Sequence, residues 1–141
     1  MENLFAYGTL MCKDIMAEVG GIKLRRLPGI AKGYRRMSVK GEQYPALIAD
    51  DRNQVKGFVY RDVPAKAWSR LDRFEGEMYA RRSVRIELND GTPIFAGTYL
   101  AKPAYLCLLE NSEWSYLQFL RSGKKNFEQH YQGFSSLGPF A

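Results

Sequence analysis

The sequence predicts an α+β fold, mainly β: a small mixed β-barrel with peripheral helices. Three observations carry this expectation. Segments with a two-residue hydrophobic period, or rich in β-branched and aromatic residues, dominate the first hundred positions. One strongly amphipathic helical segment interrupts them just before Glu75, and helical patterning returns only after Ser112. The order is therefore not the strand–helix alternation of a doubly wound parallel sheet.

The first strand is expected over Asn3–Tyr7, followed by a loop over Gly8–Cys12. Residues 13–19 fit a short helix stopped by Gly20-Gly21. Residues 23–40, interrupted by Pro28, Gly29 and Gly33, read as a bent or bulged strand pair. Tyr44–Ile48 is a short apolar run, Asp50–Asn53 a turn, and Val55–Val63 a strand. Pro64 suits the first turn of a helix over Ala65–Phe74, with Trp68, Leu71 and Phe74 on one apolar face and Gly76 at its C-terminus. Residues 82–88 alternate, with Val84, Ile86 and Leu88 on one side. Asn89-Asp90-Gly91 then turns the chain into a return strand over Thr92–Leu100. Ser112 can cap a helix whose apolar face is Trp114, Leu117 and Leu120 or Phe119. A second short helix is expected near 126–131, and a loose end over 133–141.

With 141 residues the chain suits one domain, 1–141, with a helical extension over about 112–141. A hydrophobic content of 45% provides a core and excludes a disordered composition. The formal net charge of +6 comes from small basic groups such as Arg35-Arg36 and Arg81-Arg82, read as solvated surface, with nucleic-acid binding the minor alternative. The two cysteines, Cys12 and Cys107, form neither a disulfide framework nor a CxxC pair, and with His130 alone a Cys/His zinc site is not expected. The opening MENLFAYG has no basic n-region, so it does not fit a signal peptide, and no apolar run reaches the ~20 residues of a membrane span. A cytoplasmic location is the expectation, with no membrane partner and no cofactor or metal.

The inventory narrows the chemistry. The lone His130 lies in helix-like sequence and reads as a surface or packing residue; no P-loop or dinucleotide fingerprint occurs. A single carboxylate and backbone donors remain. Tyr7-Gly8-Thr9-Leu10 ends a strand at a glycine, where free N–H groups can hold a carboxylate or an oxyanion, although an ordinary strand-end turn is the better reading of the four residues alone. Glu75, between Phe74 and Tyr79 at the helix end, can be partly desolvated and so raised toward acid/base duty, although a solvated glutamate is the plainer reading.

Taken together and in order, four segments resemble the γ-glutamylcyclotransferase-like (AIG2-like) family: Phe5-Ala6-Tyr7-Gly8-Thr9-Leu10, Tyr44-Pro45-Ala46, Gly57-Phe58-Val59-Tyr60, and Leu71-Asp72 with Phe74-Glu75-Gly76, Tyr79 and Arg81. The resemblance spans about 3–100. It implies the small mixed barrel already expected, and a carbon–nitrogen-cleaving cyclotransferase of the lyase or acyltransferase type. A γ-glutamyl amide or γ-glutamyl amino acid closes to 5-oxoproline and releases its amine. The resemblance implies Glu75 as the catalytic acid/base. It implies substrate contacts from Tyr7, Gly8, Thr9 and Leu10, chiefly through backbone amides, and from Tyr79 and Tyr99. Members acting on γ-glutamylamines carry further polar residues after the loop, including an Asn-His pair. Here Met11-Cys12-Lys13-Asp14 follows Leu10, which leaves the leaving group open; the sequence does not give the oligomeric state either. The alternative on the same fold is a non-catalytic module for a small metabolite. Core packing is the default for the tail aromatics Trp114, Tyr116, Phe119, Phe127, Tyr131 and Phe134, and a lid over the site the alternative. The geometric expectation is specific: strand one must end beside the C-terminus of the helix that carries Trp68 and Leu71.

Overall fold

A computed structural model describes residues 2–137. Six strands, β1 (Glu2–Ala6), β2 (Arg26–Val39), β3 (Pro45–Val63), β4 (Tyr79–Leu88), β5 (Pro93–Ala101) and β6 (Leu109–Glu113), form one sheet. Five of them close into a ring in the order β1–β3–β2–β4–β5, and β6 adds to the outer edge of β2. An odd ring cannot alternate direction all the way round, so one neighbouring pair must be parallel. That pair is β1 and β5, which meet at Leu4 and Gly97, while β1–β3, β3–β2, β2–β4 and β4–β5 are antiparallel. The expected mixed barrel is thus the observed one.

The apolar run Leu4–Tyr7, at the end of β1 and just beyond it, is buried on both faces. Phe5 and Tyr7 enter the barrel interior with Leu47, Val59, Val84 and Ile86. Leu4 and Ala6 face a second cluster under the helices, with Ile15, Trp68, Leu71 and Phe74. Strands covered on both sides lose the alternation of half-exposed ones. α1 (Lys13–Gly20) and α2 (Ala65–Glu75) pack over that second cluster. Trp68, Leu71 and Phe74 are all buried, as their spacing requires.

The structure corrects several expectations. Residues 26–39 are one long strand rather than a strand pair, paired with β3 along nearly its whole length. Asp50–Asn53 is not a chain reversal. The register moves from Lys32↔Gln54 to Tyr34↔Ala49, so these residues bulge out of β3, and the strand continues. Asp50 still shows turn chemistry locally, accepting from the Arg52 N–H at 3.1 Å and the Asn53 amide at 2.8 Å. In the tail, residues 109–113 pair with β2 as a strand, and Ser115 rather than Ser112 is the cap, accepting from the Gln118 N–H at 3.2 Å.

A short helix α3 (Tyr116–Gln118), a π turn (Phe119–Gly123) and α4 (Lys124–His130) follow. Trp114 and Phe119 are buried, but Leu117 is 63% exposed and Leu120 41%. The π turn is the reason: it puts Phe119, Gly123, Phe127 and Tyr131, four apart, on the face that packs inward. Of the expected loose end, Gln132–Phe134 forms a 3₁₀ turn, and 138–141 lie outside the described residues.

Barrel closure depends on backbone crossing close to backbone at Gly57. A Cβ there would lie 2.3 Å from the Ala6 carbonyl oxygen and 2.8 Å from the Phe5 ring. Because the first obstacle is main chain, the Gly57→Ala variant is expected to lose about 1–3 kcal/mol or more, read as a lower urea midpoint at unchanged m-value.

Candidate active site

β1 ends at Ala6, and the chain turns into a 3₁₀ helix over Thr9–Met11. What sets the conformation of this loop is that its carbonyls are taken one after another. Arg36 Nη1 donates to the Tyr7 carbonyl at 2.9 Å. The Met11 N–H donates to Gly8 at 3.0 Å, and Cys12 N–H to Thr9 at 3.2 Å. The Tyr60 hydroxyl donates to Leu10 at 2.8 Å, and Arg26 to Met11. In a planar trans peptide the N–H points opposite to the preceding carbonyl. Holding the Tyr7, Gly8 and Thr9 carbonyls therefore turns the N–H groups of Gly8, Thr9 and Leu10 the other way. Those of Thr9 and Leu10 also sit in a helical first turn, where no intrahelical acceptor exists. Gly8 is required for space: a Cβ would lie 2.8 Å from Pro45 Cγ.

α2 delivers Glu75 as its last residue. Gly76 follows at φ 79°, ψ −165°, a region open to glycine, and swings the chain away into β4. Glu75 is partly buried and lines the same cavity as Tyr7, Gly8, Thr9, Leu10, Tyr79 and Tyr99. Strand one does end beside the C-terminus of α2, as the geometric expectation demanded. The structure brings all seven sequence-predicted residues to one cavity.

Burial pushes the Glu75 carboxyl from 4.5 up to about 8, and the charge of Asp72, one helical turn earlier, acts in the same direction. Burial and then the Glu75 charge both raise Tyr7; Tyr99, Tyr131 and Tyr79 are raised first by burial, with Glu75 contributing. The tyrosine hydroxyls are committed to the protein. Tyr7 donates to the Tyr99 carbonyl at 2.6 Å, and Tyr79 to the Pro45 carbonyl at 2.7 Å. Tyr99 donates to Asp72 Oδ1 at 2.6 Å, and Arg81 pairs with Asp72 Oδ2 at 3.5 Å while its guanidinium covers the Trp68 ring.

The remaining wall was not singled out as site residues from sequence. Pro45 opens β3 and Tyr44 directly precedes it, while Phe127 and Tyr131 come from the tail. Tyr131 donates to the Phe74 carbonyl at 2.8 Å and lies 3.2 Å from that of Glu75, tying the tail to the end of α2. The Tyr44-Pro45-Ala46 motif held the signal for the first two; for the tail only its aromatic density did. Arg36, read as surface charge, is instead mostly buried, with 12% side-chain exposure, and holds the loop. Two other candidates for chemistry stand apart from the cavity. His130 is exposed on α4, with Nδ1 3.0 Å from the Asn126 carbonyl. Burial raises the thiol of Cys12 to about 11, which removes it as a nucleophile near neutrality.

The family model described as γ-glutamyl cyclotransferase, AIG2-like, matches residues 4–116. The chain belongs to this family. AIG2-like protein A of Arabidopsis thaliana is 28% identical over 141 residues, covering 94% of this chain and 80% of that protein. Among solved structures of this fold, an Arabidopsis thaliana protein determined in solution is 26% identical, with a TM-score of 0.67 over 91% of this chain and 86% of its own. A γ-glutamyl cyclotransferase aligns with a TM-score of 0.63 over 99% of this chain and 88% of its own; at 14% identity this likeness shows the shared AIG2-like fold.

The raised Glu75 carboxyl has a consequence for stability. Below pH ~4.5 the group is protonated whether folded or unfolded. Between there and about 8 the unfolded chain gives up the proton and the folded one keeps it, so stability falls as pH rises, by at most about 1.4 kcal/mol per pH unit. Above that window the penalty is constant. Glu75→Gln removes the titration, so its melting temperature relative to the unsubstituted protein is expected to climb steadily from pH 5 to pH 8 in a series of thermal melts.

Proposed function

We propose that this protein is a γ-glutamylcyclotransferase-type enzyme with Glu75 as its general acid/base. The observation that carries the reading is one cavity containing both a carboxyl raised to about 8 and the loop Gly8–Leu10 with its carbonyls turned aside. The reaction takes its nucleophile from the substrate. The α-ammonium loses a proton to the Glu75 carboxylate, and the freed amine attacks the γ-carbonyl carbon. A carbon–nitrogen bond forms and closes a five-membered ring; the carbon–nitrogen bond to the leaving group breaks. Glu75 returns the proton to the departing nitrogen, the ring nitrogen gives up its second proton to the released amine, which leaves as an ammonium, and 5-oxoproline remains. Holding amine and carbonyl together supplies the effective molarity that makes ring closure fast. Loop N–H groups are suited to the α-carboxylate and to the developing oxyanion. A carboxyl near 8 is a stronger base toward the α-ammonium than an ordinary carboxylate, and once protonated it holds the proton near neutrality until the amine departs.

The cavity is narrow, with a volume of about 20 Å³, space for about one water. A γ-glutamyl group is larger, so entry requires rings at the rim to turn outward. Tyr44 and Tyr131 are the partly exposed members of that rim.

The test is release of 5-oxoproline from a panel of γ-glutamyl amides and γ-glutamyl amino acids. Turnover by the unsubstituted protein and a loss of at least ~10²-fold in Glu75→Gln are expected. No release across the panel, or undiminished activity in the variant, overturns the proposal. The carboxylate is the active form, so kcat/KM is expected to rise about tenfold per pH unit below pH 8 and to level off above it. Asp72→Asn removes a charge that raises Glu75. Asp72 is 45% exposed and water screens it, so the midpoint is expected to fall by less than ~1 unit in the same pH series.

A further inference from the structure

The proposed reaction leaves the leaving amine undefined, and the cavity wall bears on it. The leaving nitrogen must be within reach of Glu75, because Glu75 protonates it. Around the end of α2 the wall is ring surface. Phe74 packs edge-on to Tyr131 with centroids 4.9 Å apart, Tyr131 stacks on Phe127 at 4.8 Å, and Tyr44 meets Tyr131 at 5.2 Å. The hydroxyls of Tyr7, Tyr79, Tyr99 and Tyr131 are spent on protein acceptors. No lysine, arginine or histidine lines the cavity among the described residues. Arg73 is exposed and lines an adjoining outer recess that shares Phe74, Glu75 and Tyr131 with the cavity, but it does not line the cavity itself.

Resting on the cyclotransferase reading, we propose that the preferred substrates are γ-glutamyl amides of apolar, arylalkyl amines, selected by Tyr44, Phe127 and Tyr131. A leaving group with its own carboxylate would lose water and find no cation among the rings of the cavity, and it would lie against the Glu75 carboxyl. One with a second ammonium would find only Glu75, already engaged by the α-ammonium. An aromatic amine instead replaces water on ring surface and can stack. The selecting surface is split between chain regions: Tyr44 lies within the family match at 4–116, Phe127 and Tyr131 beyond it.

The experiment compares kcat/KM for four substrates with one acyl group: γ-glutamyl-phenethylamine, γ-glutamyl-methylamine, γ-glutamyl-aspartate and γ-glutamyl-lysine. The phenethylamide is expected to exceed the aspartate and lysine compounds by at least ~10-fold, within the range that apolar pockets reach. Phe127→Leu should shrink its advantage over the methylamide several-fold. Tyr44→Arg, at a partly exposed position where a loss of fold is less of a risk, should raise the aspartate compound relative to the phenethylamide. Circular dichroism confirms that each variant is folded. Equal rates across the panel, or faster release from the aspartate or lysine compound, overturn the inference and leave the cyclotransferase reading standing. Absence of 5-oxoproline from all four overturns both.

Discussion

The site depends on one constraint, the capture of five consecutive carbonyls from Tyr7 to Met11. Each has its own donor, and the donors come from different places. Arg36 and Arg26 reach in from β2, Tyr60 from β3, and the loop supplies the other two. A carbonyl held by a buried donor cannot rotate without leaving that donor unpaired, at about 1–3 kcal/mol for each. The loop is therefore oriented by hydrogen bonds on its far side, before any ligand is present. Backbone N–H groups fixed in this way need no reorganisation when charge develops beside them. The dependence runs outward from there. Arg36 and Tyr60 must be placed by the long β2–β3 ladder, and Gly8 must be bare to let Pro45 approach.

Glu75 is held by the opposite strategy. Instead of being satisfied, it is deprived. Desolvation raises it to about 8, and Asp72 adds to the effect rather than relieving it. The fold tolerates this because Asp72 has Tyr99 and Arg81 of its own, so the like charge nearby is itself anchored. The aromatic rings that exclude water from Glu75 also hold the tail in place, each ring pair adding ~0.5–1.5 kcal/mol beyond its buried area. The same packing thus stabilises the structure and tunes the acid. A polar substitution in the wall would weaken both together.

How much of this could be read from the chain follows from where each signal resides. β1, α2 and the hairpin at Asn89–Gly91 were legible because local period, helix-ending glycine and turn residues agree with the tertiary structure. The bulge in β3 was misread because Asp50 and Asn53 make real turn contacts while the ladder resumes beyond them. Ser112 was misread because the partner of 109–113 is β2, seventy residues away, and pairing overrides a capping preference. Leu117 and Leu120 looked like a core face only for a regular 3.6-residue period, which the π turn breaks. The site roles of Tyr7–Leu10 and Glu75 came from the resemblance of four ordered segments to the γ-glutamylcyclotransferase-like family; alone, each segment reads more plainly as a turn or a solvated glutamate. Arg36 was invisible, since an arginine pair on a strand gives no hint of which member is buried.

The proposed chemistry and the proposed selectivity fall on largely separate stretches of chain. The loop, its donors and Glu75 all lie within residues 4–116, and their positions are fixed by barrel pairing and by the end of α2. Phe127 and Tyr131 lie beyond, on a helical run joined to the barrel chiefly by ring contacts and by the Tyr131 bond to the Phe74 carbonyl. A change at Phe127 alters the wall of the cavity without touching a carbonyl of the loop, whereas Tyr131 also holds the carbonyls of Phe74 and Glu75. The reverse does not hold. Moving β1 or the end of α2 would displace the acid and the amides together, because Phe74, which the tail rings grip, precedes Glu75 directly. The barrel is therefore the rigid term and the aromatic run the adjustable one, and differences in what the cavity admits are most simply written in the run.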